Sequence, residues 1–260
     1  KTKPLPAIKN MKSSDFQAII DGRQRTQSLL MAFGGITYGY NPHKLAKIWY
    51  LNLDMDIAGD ENHIDCRFPV QYVIRPKSAA FPDYRGYAGR VAGGIFKPGD
   101  EVMVLPSGFT SKIKSIDALG EQLQEAYAPM SVCITLEDEI DISRGDMIVR
   151  LNNAPHAEQD IDLMICWMGN QPMIPNGKYA LKHTSKDARC LIKEINYKVD
   201  INTLHRNESD KLIGMNDIAR IKIRTTSPLF IDRYNRNRRT GSLILIDEST
   251  NNTVGAGIVI

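Results

Sequence analysis

The sequence has 260 residues, of which 42% are apolar and 24% charged, and its formal net charge is +3. This composition is that of an ordinary globular protein and argues against a wholly disordered chain. No apolar run approaches the roughly 18 residues that a membrane span needs, and the first residues have no apolar signal-peptide core. We therefore expect no membrane partner. Since the four cysteines are widely spaced and form no CxxC pair, we also expect free thiols and a cytoplasmic location.

The first 55 residues differ in pattern from the rest of the chain. Asp21 and Gln24, three residues apart, form a capping-box pattern, so we expect a helix over residues 22–33 that ends at two glycines. The segment KIWYLNLDM (Lys47–Met55) is rich in strand formers and predicts a strand. Residues 1–55 are therefore predicted to be a short α+β segment, followed by a junction at residues 56–67.

Residues 68–151 have the pattern of a small β domain. Short apolar strands recur about every ten residues and are separated by turn signals. One of these signals is KPGD (Lys97–Asp100), which suits a type II turn because its third residue, a glycine, can adopt a positive φ. The segment SVCITL places Val132, Ile134 and Leu136 on one face of a strand. We therefore predict a first antiparallel β-barrel over this range.

A polar, proline-containing segment at residues 152–159 (NNAPHAEQ) predicts a linker. The strand pattern then resumes, and residues 160–260 predict a second barrel whose last two strands are joined by the polar turn ESTNNT. The predicted fold class is therefore mainly β, with two consecutive antiparallel barrels of about six strands each behind the α+β segment.

The net charge conceals a strong local asymmetry. Residues 178–239 contain 15 basic and 7 acidic side chains, an excess of eight positive charges. The densest part is RYNRNRRTG, where arginine forks could hold phosphate or carboxylate groups. The candidates for an anion-binding or partner-binding surface are Arg233, Arg236, Arg238 and Arg239. Two interpretations stay open: RNA or nucleotide binding by this surface, and a solvated loop of a β domain.

The sequence lacks the common phosphate-binding and nucleophile motifs. There is no GxxxxGK[ST] phosphate-binding loop and no GxSxG nucleophile elbow, and the five histidines are scattered. The acidic cluster LEDEID does not have the spacing of an EF-hand loop and is expected to form a solvent-facing turn. We therefore predict no catalytic residue, no bound cofactor and no metal site.

A long run of this sequence resembles a known family. The motifs are RFPVQYVIRPKSAAFPDYRGYAGRVAGGIFKPGDEVMVLPSG, LEDEIDISRGDMIV, DLMICWM, DINTL and NRRTGSLILIDESTNNTVGAGIV. In this order they resemble the large, GTPase-type subunit of bacterial sulfate adenylyltransferase, over about 200 residues up to residue 260. That family is similar to elongation factor Tu, which has a GTP-binding G domain followed by two β-barrels. The resemblance implies that residues 68–151 and 160–260 correspond to the second and third domains.

The same resemblance implies a function and partners. In that family the complete subunit hydrolyses GTP and helps a small catalytic subunit to make adenosine 5′-phosphosulfate from ATP and sulfate. The GTP-binding residues lie in the G domain, so GTP and magnesium would act only through a G domain supplied in cis or in trans. The implied role of the barrels is a non-catalytic scaffold that binds the small subunit and is inactive alone.

The opening segment resembles a different family. IIDGRQRTQSLL is similar to the Asp-Gly-Gln-Gln-Arg motif of ParB-related nuclease and NTPase domains, with Arg23 in place of the first glutamine. This resemblance implies that Asp21, Arg23, Gln24 and Arg25 could contact a nucleotide or phosphodiester. A nuclease or NTPase fragment is therefore a second alternative function, and the competing interpretation is that Asp21 and Gln24 only cap a helix.

Overall fold

The structure is a computed structural model that describes residues 65–76, 83–201 and 203–260. The predicted helix over residues 22–33, the strand Lys47–Met55 and the candidates Asp21, Arg23, Gln24 and Arg25 lie outside the described residues and stay predictions. The part of the chain that is described contains sixteen β-strands and no helix. It also contains no helix long and apolar enough to cross a membrane.

Nine strands fall between residues 67 and 150. They are β1 (Arg67–Ile74), β2 (Gly86–Arg90), β3 (Ile95–Phe96), β4 (Glu101–Leu105), β5 (Thr110–Ala118), β6 (Glu121–Gln122), β7 (Ala126–Tyr127), β8 (Ser131–Leu136) and β9 (Met147–Arg150). Six of them pair in the order β4-β9-β1-β2-β8-β5, and a β4–β5 pairing closes the ring. This closed ring is the first barrel. Strand β6 extends β5, and β3 pairs with β7 as a separate ribbon.

Seven strands follow between residues 156 and 259. They are β10 (His156–Trp167), β11 (Lys178–His183), β12 (Lys186–Val199), β13 (Arg206–Asn207), β14 (Ile218–Ile231), β15 (Ser242–Ile246) and β16 (Thr253–Val259). Their order is β11-β15-β16-β10-β14-β12-β13, and a β11–β12 pairing closes the ring of six that forms the second barrel. The predicted fold class is confirmed for the described residues. Strand β10 begins at His156, inside the segment that the sequence suggested as a linker.

Alternating strand residues fill the interior of each barrel. On β8, Val132, Ile134 and Leu136 are all buried, as the alternation predicted. On β14, Ala219, Ile221 and Ile223 face the interior of the second barrel, and the basic residues between them face outward. Each barrel therefore has its own apolar core, as expected for a small closed sheet with one solvated face.

The predicted turns are present where the sequence placed them. In KPGD the φ of Gly99 is 88°, and the amide of Asp100 donates to the carbonyl of Lys97 over 3.1 Å. These are the features of the predicted type II turn. The last two strands, β15 and β16, are joined through residues 247–252, where the Asp247 carboxylate accepts amide hydrogen bonds from Ser249 and Thr250.

Candidate functional site: the junction between the barrels

A fully buried arginine joins the two barrels. Arg67, at the start of β1, donates from Nε and Nη2 to the two carboxylate oxygens of Asp232, over 2.9 and 3.0 Å. Its Nη1 donates to the carbonyl oxygens of Cys66 and Asn153, over 3.1 and 2.5 Å. The side chains of Arg67 and Asp232 are only 2% and 4% exposed. All three guanidinium nitrogens thus have acceptors, which is what a charge needs in order to be tolerated in an interior.

A second ion pair lies beside the first one. Asp65, just before β1, accepts two hydrogen bonds from the guanidinium of Arg236, one of them from Nη2 over 2.9 Å. Asn153 donates to the same carboxylate over 2.8 Å. Burial raises the pKa of Asp65, but the hydrogen bonds from Arg236 and Asn153 and the charges of Arg67 and Arg236 outweigh it and leave that pKa below its usual value. The carboxylate is therefore held in its charged form.

The loop between β14 and β15 is organised by Asn237. Its Oδ1 accepts from the amides of Arg239 and Thr240, over 3.0 and 3.1 Å, which closes the loop on itself. Its Nδ2 donates to the carbonyl of Ala92 in the first barrel, over 3.0 Å. Because Asn237 is buried, the segment RYNRNRRTG is a structured clasp on the first barrel rather than a loop that extends into solvent. We call Asp65, Arg67, Asn153, Asp232, Arg236 and Asn237 the junction network.

Apolar contacts and close backbone approach complete the junction. Phe230, near the end of β14, packs against a small cluster from the first barrel, which comprises Met103, Leu105, Met147 and Val149. In a turn of the first barrel, Gly145 lies so close to the second that an added Cβ would be 2.9 Å from Cδ of Lys186. The contact between the barrels is therefore part apolar and part charged.

A buried histidine lies behind the ion pairs. His183 ends β11, and its Nε2 lies 2.8 Å from the carbonyl oxygen of Thr240, so the neutral ring carries its proton on Nε2. Thr240 donates from its hydroxyl to Asp232 over 2.6 Å. Burial lowers the pKa of His183, and this outweighs the opposing effects of the Thr240 carbonyl and the Asp232 charge. The neutral ring is thus the form that fits the junction.

The four predicted arginines have different surroundings. Arg236 is occupied by Asp65, although 57% of its side chain is exposed. Arg233 is exposed, and Arg238 and Arg239 are half-buried. The four arginines therefore lie in one loop, but Arg236 pairs with Asp65 of the same chain. The anion-binding surface itself stays a prediction.

The local excess of positive charge is balanced by acids from outside residues 178–239. Arg189 pairs with Glu248 over 2.7 Å, and Arg220 pairs with Asp162 over 3.5 Å. Asp160 lies 3.4 Å from the Lys193 ammonium and 3.0 Å from the Arg224 guanidinium. These acids come from neighbouring strands or turns of the same barrel, so a count along the sequence overstates the positive field of the surface.

The remaining acidic clusters among the described residues do not form a metal site. A cavity of about 200 Å³ beside the junction is lined mainly by β10, including Glu158, Asp160 and Asp162, and also by Asp232 and Arg233. In LEDEID, Asp138 accepts from the Ser111 hydroxyl over 2.8 Å, and Asp141 is fully exposed. Among the described residues no three His, Cys, Asp or Glu side chains are placed to hold a metal ion.

The end of the second barrel that faces away from the junction is partly apolar. Two loops meet there, joined by a hydrogen bond of 2.8 Å from the amide of Met173 to the carbonyl of Ile213. They expose Ile174, Leu212 and Met215, whereas Met173 and Ile213 are buried beneath them.

Sequence reasoning missed the residues that join the barrels. Arg67 and Asp232 are 165 positions apart; Arg67 begins the first motif of the family resemblance, but that resemblance assigned it no role, and Asp232 lies in none of the motifs. The available signal was indirect: Arg67 begins the apolar strand RFPV, and Asp232 ends the apolar run PLFI. A charge at the end of a buried strand is also common at a solvated edge, so this signal alone does not pair the two.

Comparison with known proteins agrees with this architecture. Residues 160–260 match the family described as GTP-eEF1A C-terminal domain-like. The chain is 48% identical over 208 residues to the bifunctional enzyme CysN/CysC of Mycobacterium tuberculosis, covering 80% of this chain and 34% of that protein. It is 45% identical over 214 residues to sulfate adenylyltransferase subunit 1 of a Sulfurovum species, covering 79% of this chain and 44% of that protein.

The chain is homologous to part of sulfate adenylyltransferase subunit 1. The predicted resemblance of the barrel region is thereby confirmed, and the chain spans between a third and a half of the length of these relatives. A similar fold occurs in Sup35 complexed with GDP, with a TM-score of 0.67 and 16% identity, over 75% of this chain and 47% of that one. At this identity the likeness shows the fold alone.

Proposed function

We propose that this chain acts as the non-catalytic double-barrel part of a sulfate adenylyltransferase large subunit, and that it serves as scaffold and partner-binding module. The homology to sulfate adenylyltransferase subunit 1 supports the assignment to a sulfate adenylyltransferase. The observation that carries the scaffold role is the buried Arg67–Asp232 pair, because a fully satisfied charge shared by two barrels holds them in one orientation. The partner would be the small catalytic subunit, and the location would be the cytoplasm.

In this proposal GTP and magnesium act through a G domain in cis or in trans, and no described residue is assigned to them. The barrels would transmit the nucleotide state of that domain by moving as a unit. The purified chain should therefore hydrolyse neither GTP nor ATP. Turnover of GTP that persists after repurification and is saturable would contradict the proposal.

Partner binding is tested by capture of the purified small subunit on the immobilised full chain. We expect capture by the wild-type chain and weaker capture by Asp232→Ala, because loss of the carboxylate disturbs the orientation of the barrels. The control is Asp141→Asn, which changes a fully exposed carboxylate paired with Arg85 and should capture normally. No capture by the folded wild-type chain, or equal capture by both variants, would contradict the proposal that the docked barrels bind the small subunit.

Nucleic-acid binding by the clasp is the main alternative, and Arg233 supports it as an exposed arginine of that segment. It predicts affinity for RNA that falls steeply as salt rises, and loss of affinity in Arg236→Ala and Arg238→Ala. Absence of RNA retention at low ionic strength would exclude this alternative. A nuclease or NTPase role of Asp21 to Arg25 concerns residues outside the described part and is tested by Asp21→Ala, which should abolish any such activity.

A further inference from the structure

The hairpin that joins β5 to β6 has an unusual residue at its tip. Ala118 pairs with Glu121, so the connecting loop consists of two residues, Leu119 and Gly120. Their φ angles are 54° and 86°, and two successive positive φ angles are typical of a type I′ turn. Asparagine followed by glycine is the favoured pair in this turn, because both tolerate the left-handed region. A leucine at the first position is therefore poorly suited to its own turn.

Packing does not explain the leucine either. The Leu119 side chain is fully exposed, and no described residue covers it. The other described non-glycine residues with a positive φ are a half-buried leucine, a threonine and four asparagines: Leu204, Thr184, Asn152, Asn176, Asn216 and Asn251. A single exposed leucine is ordinary on a protein surface, but a bulky residue held at a positive φ is not. Since neither its backbone nor its side chain stabilises the fold, Leu119 is a candidate for binding.

The base of this hairpin is anchored in the first barrel. Ala118 and Leu123, which lie on either side of the tip, both pack against the core of that barrel. The Leu123 amide also donates to the carbonyl of Ile116 over 2.7 Å, and Ile116 is fully buried. Leu119 is therefore presented at the tip of a short, structured hairpin. An apolar side chain that is already positioned in this way loses little conformational entropy when it binds.

The surroundings of Leu119 are acidic. Asp117 and Glu121 flank the loop, and among the described residues neither carboxylate forms an ion pair. Asp117 accepts a hydrogen bond from the Ser115 hydroxyl over 2.9 Å, whereas Glu121 is exposed. Two negative charges beside one apolar side chain disfavour the phosphate backbone of a nucleic acid as a partner. They fit a protein surface that has an apolar socket surrounded by basic side chains.

We propose that Leu119 is a binding anchor, which inserts into an apolar socket with a basic rim on the small catalytic subunit. The identity of this partner rests on the proposed function, whereas the position and chemistry of the anchor rest on the hairpin alone. A leucine in place of asparagine at this position then exchanges stability of the turn for affinity, which is a common relation between stability and function.

The variant Leu119→Asn tests the anchor, because it should weaken binding and improve the turn at once. We expect the affinity of the immobilised full chain for the purified small subunit to fall by about tenfold or more, as for an apolar anchor at an interface. The thermal midpoint of the variant should stay equal or rise, since asparagine suits this position of a type I′ turn. The control is Phe109→Asn, which changes another exposed apolar residue, in the β4–β5 turn, and should bind normally.

The variant Glu121→Gln tests the acidic flank of the anchor. Loss of a charge at the rim of an interface should slow association with the small subunit and reduce the dependence of the association rate on salt. An unchanged association rate with an unchanged salt dependence would overturn the basic rim of the socket.

The outcomes separate the anchor from the proposed function. Normal affinity of Leu119→Asn would overturn the anchor alone, and so would a fall in its thermal midpoint together with weaker binding, because the leucine would then be structural. Failure of the wild-type chain to bind the small subunit would overturn the proposed function as well. Self-association of the wild-type chain that Leu119→Asn abolishes would assign the anchor to a second copy and overturn the small subunit as its partner.

Discussion

At the scale of single residues, Arg67 is the side chain on which the junction depends most. Removal of its carboxylate partner in Asp232→Ala leaves a guanidinium that is 2% exposed without its hydrogen-bonded counter-charge, and Asp65 remains at 3.8 Å from Nη2. We expect a loss of about 3–5 kcal/mol in the free energy of unfolding, the cost found when one partner of a buried pair is deleted. Urea denaturation of the full chain measures it.

Asp141→Asn is the matched control for this change. Its carboxylate is fully exposed and lies 3.6 Å from Arg85, so the expected loss is below about 1 kcal/mol. Similar losses in the two variants would show that the Arg67–Asp232 pair contributes no more than a surface pair.

His183 makes stability depend on pH. Its folded-state pKa lies below the ordinary value of 6.5, so the unfolded chain takes up a proton first as pH falls. The free energy of unfolding should therefore be fully present above about pH 7 and should decline towards pH 5, by at most about 1.4 kcal/mol per pH unit. Asp65 has a lowered pKa and adds its own loss only below about pH 4.

Urea denaturation at several pH values separates His183 from other groups. His183→Gln can still donate from an Nε2 amide to Thr240 but cannot titrate, so the decline should flatten. His156→Gln changes an exposed histidine and should keep the wild-type decline. An unchanged slope in His183→Gln would assign the pH dependence to another residue.

Sequence reasoning was least complete for the contacts of individual side chains. The arginine-rich segment was recognised, but Arg236 faces Asp65, which is 171 positions away. Such a contact depends on the packing of two barrels and not on local pattern. Asn237, the centre of the clasp, was not singled out: its bonds to its own loop are local, but its contact with Ala92 exists only where the barrels meet.

At the scale of elements, most of the first barrel could be predicted. The alternation in SVCITL and the glycine of KPGD specify a strand face and a turn through local sterics, and both were confirmed. The start of β10 was less predictable. Polar residues of NNAPHAEQ suggested a linker, yet His156, Ala157 and Glu158 pair with the end of β14, because the partner strand extends that far.

The close approach of Asp65 and Asn237 at the junction requires a glycine at position 93. A Cβ added there would lie 2.6 Å from the carbonyl oxygen of Asp65 and 2.7 Å from Nδ2 of Asn237. Gly93→Ala should therefore push the clasp away and cost about 1–3 kcal/mol, as overpacking does. Thermal or urea denaturation measures the loss. Gly214→Ala is the control, since its Cβ would make an ordinary contact of 3.6 Å with Asp217, and equal losses would contradict the steric explanation.

At the scale of the whole molecule, the junction predicts that the two barrels unfold together. In the wild-type chain, amides of Ile134 in the first core and Ile223 in the second should lose protection at the same midpoint. Phe230→Ala removes the apolar contact between the barrels and should separate the two midpoints. Phe109→Ala, at an exposed phenylalanine, should keep them together.

Nuclear magnetic resonance on heating gives both midpoints in one experiment. Separate midpoints in the wild-type chain would show that the barrels are thermodynamically independent despite the buried pair. A common midpoint in Phe230→Ala would instead place the coupling in the charged contacts alone, and Asp232→Ala would then be the variant that separates them.

Closure of both sheets has a consequence for behaviour at high concentration. An open sheet has edge strands whose free backbone groups can recruit another chain, which is a common start of fibril growth. Here the β4–β5 and β11–β12 pairings join the first and last strand of each ring, so the main strands have no such edge. The short strands β6 and β13 are two residues each, too brief to template a neighbour. Closure thus gives the described region an intrinsic resistance to edge-to-edge aggregation.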